Sequence, residues 1–219
     1  MNALHWARTL RITFIHSIMY NLKPIDMMNY LKHCWIVIIL LSACTLVDSN
    51  NSSGQYTIST LTDAELAAIN ISSNEIAVRD TEGQLVGVAK RADKRKYYDP
   101  SNTMVFAVKF DDDGFKLRDR NEELIWKVKL YEDKLKIANN EEMSNGYEIK
   151  LRYGKLKLER NEREIKSIRL SESTEWYEVD GKYKIHGFGL SLAPGILMIT
   201  ELKEREKYLI MAELAKRGR

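Results

Sequence analysis

The sequence predicts a mainly β fold, an antiparallel meander or barrel of repeated hairpins with a C-terminal helix, standing behind an amino-terminal leader. Three observations predict it. From Ile76 onward, apolar and polar residues alternate with period two, the pattern of strands with one buried and one wet face. The alternating runs recur, with Phe115, Leu135 and Leu156 marking equivalent points about 20 residues apart, as stacked hairpins require. Only the last segment leaves this period, because Ile196, Leu197, Ile199, Leu202, Leu209, Ile210 and Leu214 fall near helical spacing.

Residues 1–43 read as the leader. Lys32 and His33 form a short positive segment, and Cys34 to Leu41 is an unbroken apolar run of eight. Such a run is too short to cross a bilayer as a helix, which takes about 20 residues, and has the length of a signal-peptide core. Leu41-Ser42-Ala43-Cys44 follows. This aliphatic residue, two small residues and a cysteine resemble the lipobox of bacterial lipoproteins. The resemblance implies cleavage before Cys44, a diacylglycerol on the Cys44 sulfur, and often an acylated new amino terminus. It implies a membrane as partner, with the protein lipid-anchored at the cell membrane or outer membrane and facing the periplasm or exterior. Each buried CH₂ contributes about 0.8 kcal/mol, and two or more chains make anchoring stable. Thr45, where enteric-type bacteria use Asp for inner-membrane retention, favours the outer membrane if there is one.

Two other readings stay open: residues 34–41 as a buried strand with Cys44 in a core, and an uncleaved anchor that starts further upstream. Residues 1–26, with an amphipathic stretch from Leu10 to Tyr20, are long for a signal peptide, so the expected translation start is Met27 or Met28.

Residues 44–60 are expected to be the lipidated Cys44 and a Ser/Asn/Gly-rich flexible tether. Residues 61–219 are expected to form a single β-rich domain. Asp63 to Ile69 suggests a short helix capped by Thr60 or Thr62. Ile76–Arg79 and Gln84–Lys90 flank a tight turn, and Phe115–Arg118 and Leu124–Leu130 flank Asp119–Glu123. Leu135–Ile137 leads through Asn139 and Asn140 to Tyr147–Leu151, and Leu156–Leu158 leads to Ile165–Leu170. Pro194 opens a C-terminal helix of about 194–217, which ends in the cations of Lys216, Arg217 and Arg219.

Composition narrows the chemistry. The formal charge of +3 is carried by the leader, which has four basic residues and one acid, leaving 30 of each sign from Cys44 onward. That balance gives no electrostatic reason to expect nucleic acid. Both cysteines, Cys34 and Cys44, precede the domain, so it has no disulfide, thiolate metal site or nucleophilic Cys. Of four histidines only His186 lies beyond the leader. A catalytic triad would need it as base, with Ser191 close in sequence, but a lone histidine in a strand reads as structural. Asp111-Asp112-Asp113-Gly114 lacks the EF-hand spacing and reads as a hairpin turn. No cofactor or metal is expected. Trp126 and Trp176 read as core or rim aromatics.

Basic residues dominate the wet strand positions, among them Lys116, Arg118, Lys127, Lys129, Lys134, Lys150 and Lys157. They read as a solvated face that resists edge pairing, with a headgroup-binding stripe as the sharper alternative.

The hairpins ending in an apolar helix, and above all GFKLRDRNEELIWKVKLYEDKLKIANNEE (residues 114–142), resemble the tubby-like, LURP-one and scramblase-related barrel. In that barrel the strands wrap a C-terminal helix. The resemblance spans about Ile76 to Lys216 and implies lipid-headgroup or membrane-associated binding without catalysis. The strand count reads as low for the complete barrel. The expected function is a non-catalytic, lipid-anchored envelope protein that binds a lipid or protein partner. The alternatives are an envelope hydrolase using carboxylates and a scaffolding lipoprotein that offers a sheet edge.

Overall fold

Alternating sequence becomes hairpins because short Asp- and Asn-containing loops turn the chain back on itself. In the loop 119–123 the Asp119 carboxylate accepts the Asn121 and Glu123 amides at 2.8 and 2.9 Å. Asp99 and Asn140 do the same for the amides of Thr103 and Ser144, both at 2.9 Å. The computed structural model describes residues 54–91, 93–170 and 176–219. The leader, Cys44 and the Ser/Asn-rich run after it lie outside the described residues.

Among the described residues, fourteen strands form one antiparallel sheet. They are β1 Gly54–Thr60, β2 Glu65–Ile71, β3 Glu75–Asp80, β4 Gly83–Arg91, β5 Lys94–Tyr98, β6 Met104–Asp111 and β7 Gly114–Arg118, then β8 Leu124–Leu130, β9 Lys134–Ala138, β10 Tyr147–Arg152, β11 Lys155–Arg160, β12 Arg163–Arg169, β13 Trp176–Val179 and β14 Tyr183–His186. The first twelve pair in sequence order, β14 pairs with β1, and β13 lies outside β14. The sheet curls into a nearly closed barrel, whose free edges are β12 and β13. Lys166 on β12 reaches the Asp180 carboxylate beyond β13 at 2.7 Å and ties the two edges together.

A 3₁₀ segment, Ala193–Met198, and the helix α1, Glu204–Lys216, follow the strands. Residues 206–215 of α1 are all buried, so the helix is covered on every side and fills the barrel. Ile69, Ile76, Leu85, Phe115, Leu117, Ile137, Ile149 and Leu158 of the strands and Leu209, Ile210 and Leu214 of α1 belong to one core.

The mainly β prediction and its hairpins stand, and the run Asp111–Gly114 is the β6–β7 turn. Four expectations need correction. The helix expected at Asp63–Ile69 is strand β2, which pairs with both β1 and β3. Asp63 takes a left-handed φ of 63° that breaks a helix, and burial of Ala67, Ala68, Ile69 and Ile71 overrides the helical preference of alanine. Thr60, expected with Thr62 as a candidate helix cap, instead accepts the Ala64 amide on its Oγ1 at 3.1 Å across a strand turn.

The expected helix 194–217 is broken between Met198 and Glu204. Ile199 is extended, at φ −84° and ψ 113°, and Leu202 is buried outside any helix. Gly195 packs so tightly that a Cβ there would lie 2.5 Å from Ile149 Cγ2. The helix restarts where the Lys203 amide donates to the Glu206 carboxylate at 3.2 Å. The domain begins earlier than residue 61, because residues 54–60, expected in the tether, form β1 with Ile58 fully buried. The strand count is not low: the count missed β1, β2, β5, β6 and β13, which have few or irregular apolar positions.

Arg205 near the start of α1 grips Asp80 at the end of β3 with two hydrogen bonds, at 2.7 and 2.5 Å, and both side chains are largely buried. Asp80→Ala leaves the guanidinium only the Gly83 carbonyl at 3.4 Å and the exposed Glu82 at 3.5 Å, and should lower the unfolding free energy by about 2 kcal/mol. Urea titration checks this as a lower midpoint with an unchanged slope.

Candidate functional site at the barrel mouth

The two ends of the barrel are distinguished by the two ends of α1. Its N-terminal end meets the β3–β4 turn through Arg205 and Asp80. Its C-terminal end meets the β2–β3 turn, where Lys216 Nζ donates to the Ser72 and Ser73 carbonyls at 2.7 and 3.2 Å. Arg219 donates to the Glu132 carbonyl in the β8–β9 turn at 3.3 Å.

The N-terminal end is saturated. The Glu204 carboxylate accepts from Lys207 at 2.7 Å, Tyr183 at 2.8 Å and Tyr208 at 3.0 Å. Burial pushes Glu204 up, but these donors outweigh it and hold the carboxyl below its ordinary value. Burial, joined by the Glu204 charge, raises the Tyr183 and Tyr208 phenols above the ordinary tyrosine range. Tyr147 donates to Glu201 nearby, and burial with that hydrogen bond pushes its phenol up to about 12. A small cleft of about 230 Å³, with Leu66, Tyr183 and Tyr208 in its walls, opens here.

The C-terminal end opens into a larger cleft of about 490 Å³. Arg95, Lys216, Arg217 and Arg219 bring cations to it, Glu213, Asp112 and Asp113 bring carboxylates, and Phe110 and Leu130 form apolar wall. Arg95 reaches it, and Tyr97 is buried behind it, because β5 turns alternate residues inward, and Gly87 on β4 clears the space: a Cβ there would lie 2.5 Å from the Tyr97 ring. Glu213 on α1 accepts from Arg95 Nη1 at 2.5 Å and from the Tyr97 hydroxyl at 2.8 Å. Burial alone would lower Arg95, but Glu213 and Tyr97 outweigh it and raise it. Burial and then the Glu213 charge raise Tyr97 well above the ordinary phenol range. Arg217 lies over the rings of Phe110 and Phe115 at 4.8 and 5.7 Å, while Arg95 lies 5.4 Å from the Phe110 ring.

Cys44, the sequence-derived site, lies outside the described residues. The basic strand positions are solvated and paired: Lys116 and Lys127 with Glu141 at 2.9 and 3.2 Å, Lys129 with Asp113 at 2.9 Å, Lys134 with Glu148 at 3.0 Å, Lys150 with Glu159 at 2.5 Å and Lys157 with Glu164 at 2.6 Å. Such pairs, exposed or half-buried at the surface, contribute about 0–1 kcal/mol each and leave little net field. His186 sits on β14 opposite Thr57 and Trp176, and no hydrogen bond joins it to Ser191 among the described residues. Trp126 is buried and donates from Nε1 to Glu206 at 2.8 Å, whereas Trp176 is a rim residue under Lys184. The sequence reading missed Arg95, Tyr97 and Glu213. Their signal was a charged, aromatic strand, Lys94–Tyr98, and one acid inside the apolar run Leu209–Ala215.

The fold and this mouth define a class: an antiparallel barrel with a charged helix in its lumen. Comparison with known protein families, with curated proteins and with solved structures returns no match. Among the described residues, no helix is long and apolar enough to cross a membrane, and no group of His, Cys, Asp and Glu is placed to hold a metal.

The tyrosine shifts fix the alkaline limit of stability. A phenol whose folded pKa is raised stabilises fully below the ordinary value of 10 and loses that contribution as pH rises through the folded value, about 12 for Tyr147. Glu204 and Glu201 are lowered, so their contribution is present above the ordinary 4.5 and is lost as pH falls through their folded values. Melting temperature followed against pH should therefore fall above 10 and again below 4.5, and Tyr147→Phe should flatten the alkaline limb. Glu213→Gln leaves Arg95 buried beside a neutral amide and should cost about 3 kcal/mol in chemical unfolding.

Proposed function

We propose that this chain is a lipid-anchored envelope protein, acylated at Cys44, whose barrel is a non-catalytic domain binding a lipid or protein partner at the membrane surface. The observation that carries the reading is Leu41-Ser42-Ala43-Cys44 behind an apolar run of eight, with the first strand starting at Gly54. The residues between Cys44 and Gly54 span about 30 Å at full extension, which keeps the domain close to whatever surface holds the lipid. The anchor belongs to the cell membrane or outer membrane, with the barrel facing the periplasm or exterior.

The filled lumen supports binding over catalysis, because α1 occupies the space in which a barrel would enclose a substrate. The buried carboxylates Glu206 and Glu213 each accept from wall donors, Trp126 for one and Arg95 with Tyr97 for the other. A hydrolase built on paired carboxylates needs two of them facing one reacting atom. A sheet wrapped around a C-terminal helix also agrees with the tubby-like architecture, for which headgroup binding without catalysis is implied.

Labelling with palmitate tests the anchor. The wild-type chain should take up label and sediment with membranes. Cys44→Ala should lose the label and enter the soluble fraction with an unchanged melting temperature. Label retained by that variant rejects the reading.

A further inference from the structure

The mouth at the C-terminal end of α1 holds more hydrogen-bonding capacity than the protein uses. Arg95 is 7% exposed, and its Nε is buried without a hydrogen-bond partner. A buried donor left unmade costs free energy, and a guanidinium offers a planar fork suited to an oxyanion. Arg217 is aligned by the rings of Phe110 and Phe115, and no ion pair engages it among the described residues. Lys216 completes a group of three cations around the single carboxylate of Glu213. Of the two other carboxylates in the cleft, Asp113 is taken by Lys129 at 2.9 Å, and Asp112 is exposed in the turn, where solvent screens it.

We propose that this cleft is a binding site for a phosphate-type oxyanion, held by Arg217 and the unused face of Arg95, with Phe110 as its apolar wall. The volume, about 490 Å³, accommodates a phosphate with a small organic substituent. Burial lowers Lys216 and Arg217 from their ordinary values, and Arg95 adds to the effect while Glu213 opposes it.

The phosphate has two candidate sources, free phosphate and a phospholipid headgroup. The second rests on the Cys44 reading. β1 starts with Gly54 opposite Ile71, next to the Ser72 and Ser73 carbonyls that hold Lys216. The cleft therefore lies at the barrel end where the chain enters from the direction of Cys44.

The test uses the full chain in detergent. Inorganic phosphate should raise the melting temperature saturably, beyond chloride at equal ionic strength. Arg217→Gln should weaken the apparent affinity about tenfold or more, the loss of one charge-assisted hydrogen bond. Arg217→Lys keeps the charge over Phe110 and should fall between the two, which covers the case in which the glutamine variant does not fold. No stabilisation beyond chloride, or equal affinity in wild type and both variants, overturns the proposal. In a second arm, Cys44→Ala protein is floated with phosphatidylglycerol or phosphatidylcholine vesicles. Flotation with phosphatidylglycerol that inorganic phosphate competes away assigns the site to headgroups. Saturable phosphate binding without flotation assigns it to soluble phosphate. Loss of palmitate labelling in the wild type would remove the anchor reading and leave the phosphate result standing.

Discussion

Burying a helix on all sides obliges every polar group on it to find a partner in the wall, and that obligation organises this barrel. An unpaired polar group in such a place costs several kcal/mol. Here Arg205 is met by Asp80, Glu206 by Trp126, Lys207 by Tyr183, and Glu213 by Arg95 and Tyr97. Leu209, Ile210, Met211 and Leu214 supply the apolar burial that drives the helix inside. Apolar contact alone would tolerate rotation or a slide along the lumen, because it is not directional. The polar pairs are directional and spread along the helix from Glu204 to Lys216, so each displaced position breaks several at once. Together they select one rotation and one depth.

The wall adapts to the same demand. β5 departs from the simple rule of apolar in and charged out: Arg95 and Tyr97 face α1, and Gly87 makes room across the ladder. The seam shows another accommodation. The β11–β12 ladder shifts register after Leu158, which turns Lys166 toward Asp180 and leaves Ile165 nearly half exposed, at 48%. A bulge and an inward lysine are devices that keep an edge strand from pairing with other chains. These features weigh against the scaffolding alternative, in which β12 would offer its edge to a partner.

The sequence revealed what depends on local alternation. The hairpins from Glu75 to Arg91 and from Gly114 to Arg169 carry clean period-two patterns and turn residues with a mechanism, so their strands and turns were readable. Strand β2 was not, because Ala67 and Ala68 read as helix until their neighbours β1 and β3 are known. The break before Glu204 was hidden for a similar reason: Ile196, Leu197, Ile199 and Leu202 are apolar because they are buried, whether or not they are helical. The mouth cleft was illegible for a different reason. Its residues come from β5, the β6–β7 hairpin, the end of β8 and the C-terminal end of α1, with 118 residues between Arg95 and Glu213. Only the closing of the sheet brings them together. The cations after Ala215 were visible, but sequence could assign them only to the helix end.

That assignment explains part of their charge and not all of it. A helix C-terminus carries about half a negative charge, which attracts cations such as Lys216. Glu213 adds one negative charge and Asp112 another, while Asp113 is neutralised by Lys129. Against them stand the four cations Arg95, Lys216, Arg217 and Arg219. Of these, Arg217 has no ion pair among the described residues, and Arg95 keeps its Nε without a hydrogen-bond partner. At the other end of α1 the donors and acceptors meet within the protein, as the three hydrogen bonds to Glu204 demonstrate. The two ends of one helix are thus unequal: one is satisfied internally, and the other leaves the buried Arg95 Nε without a partner.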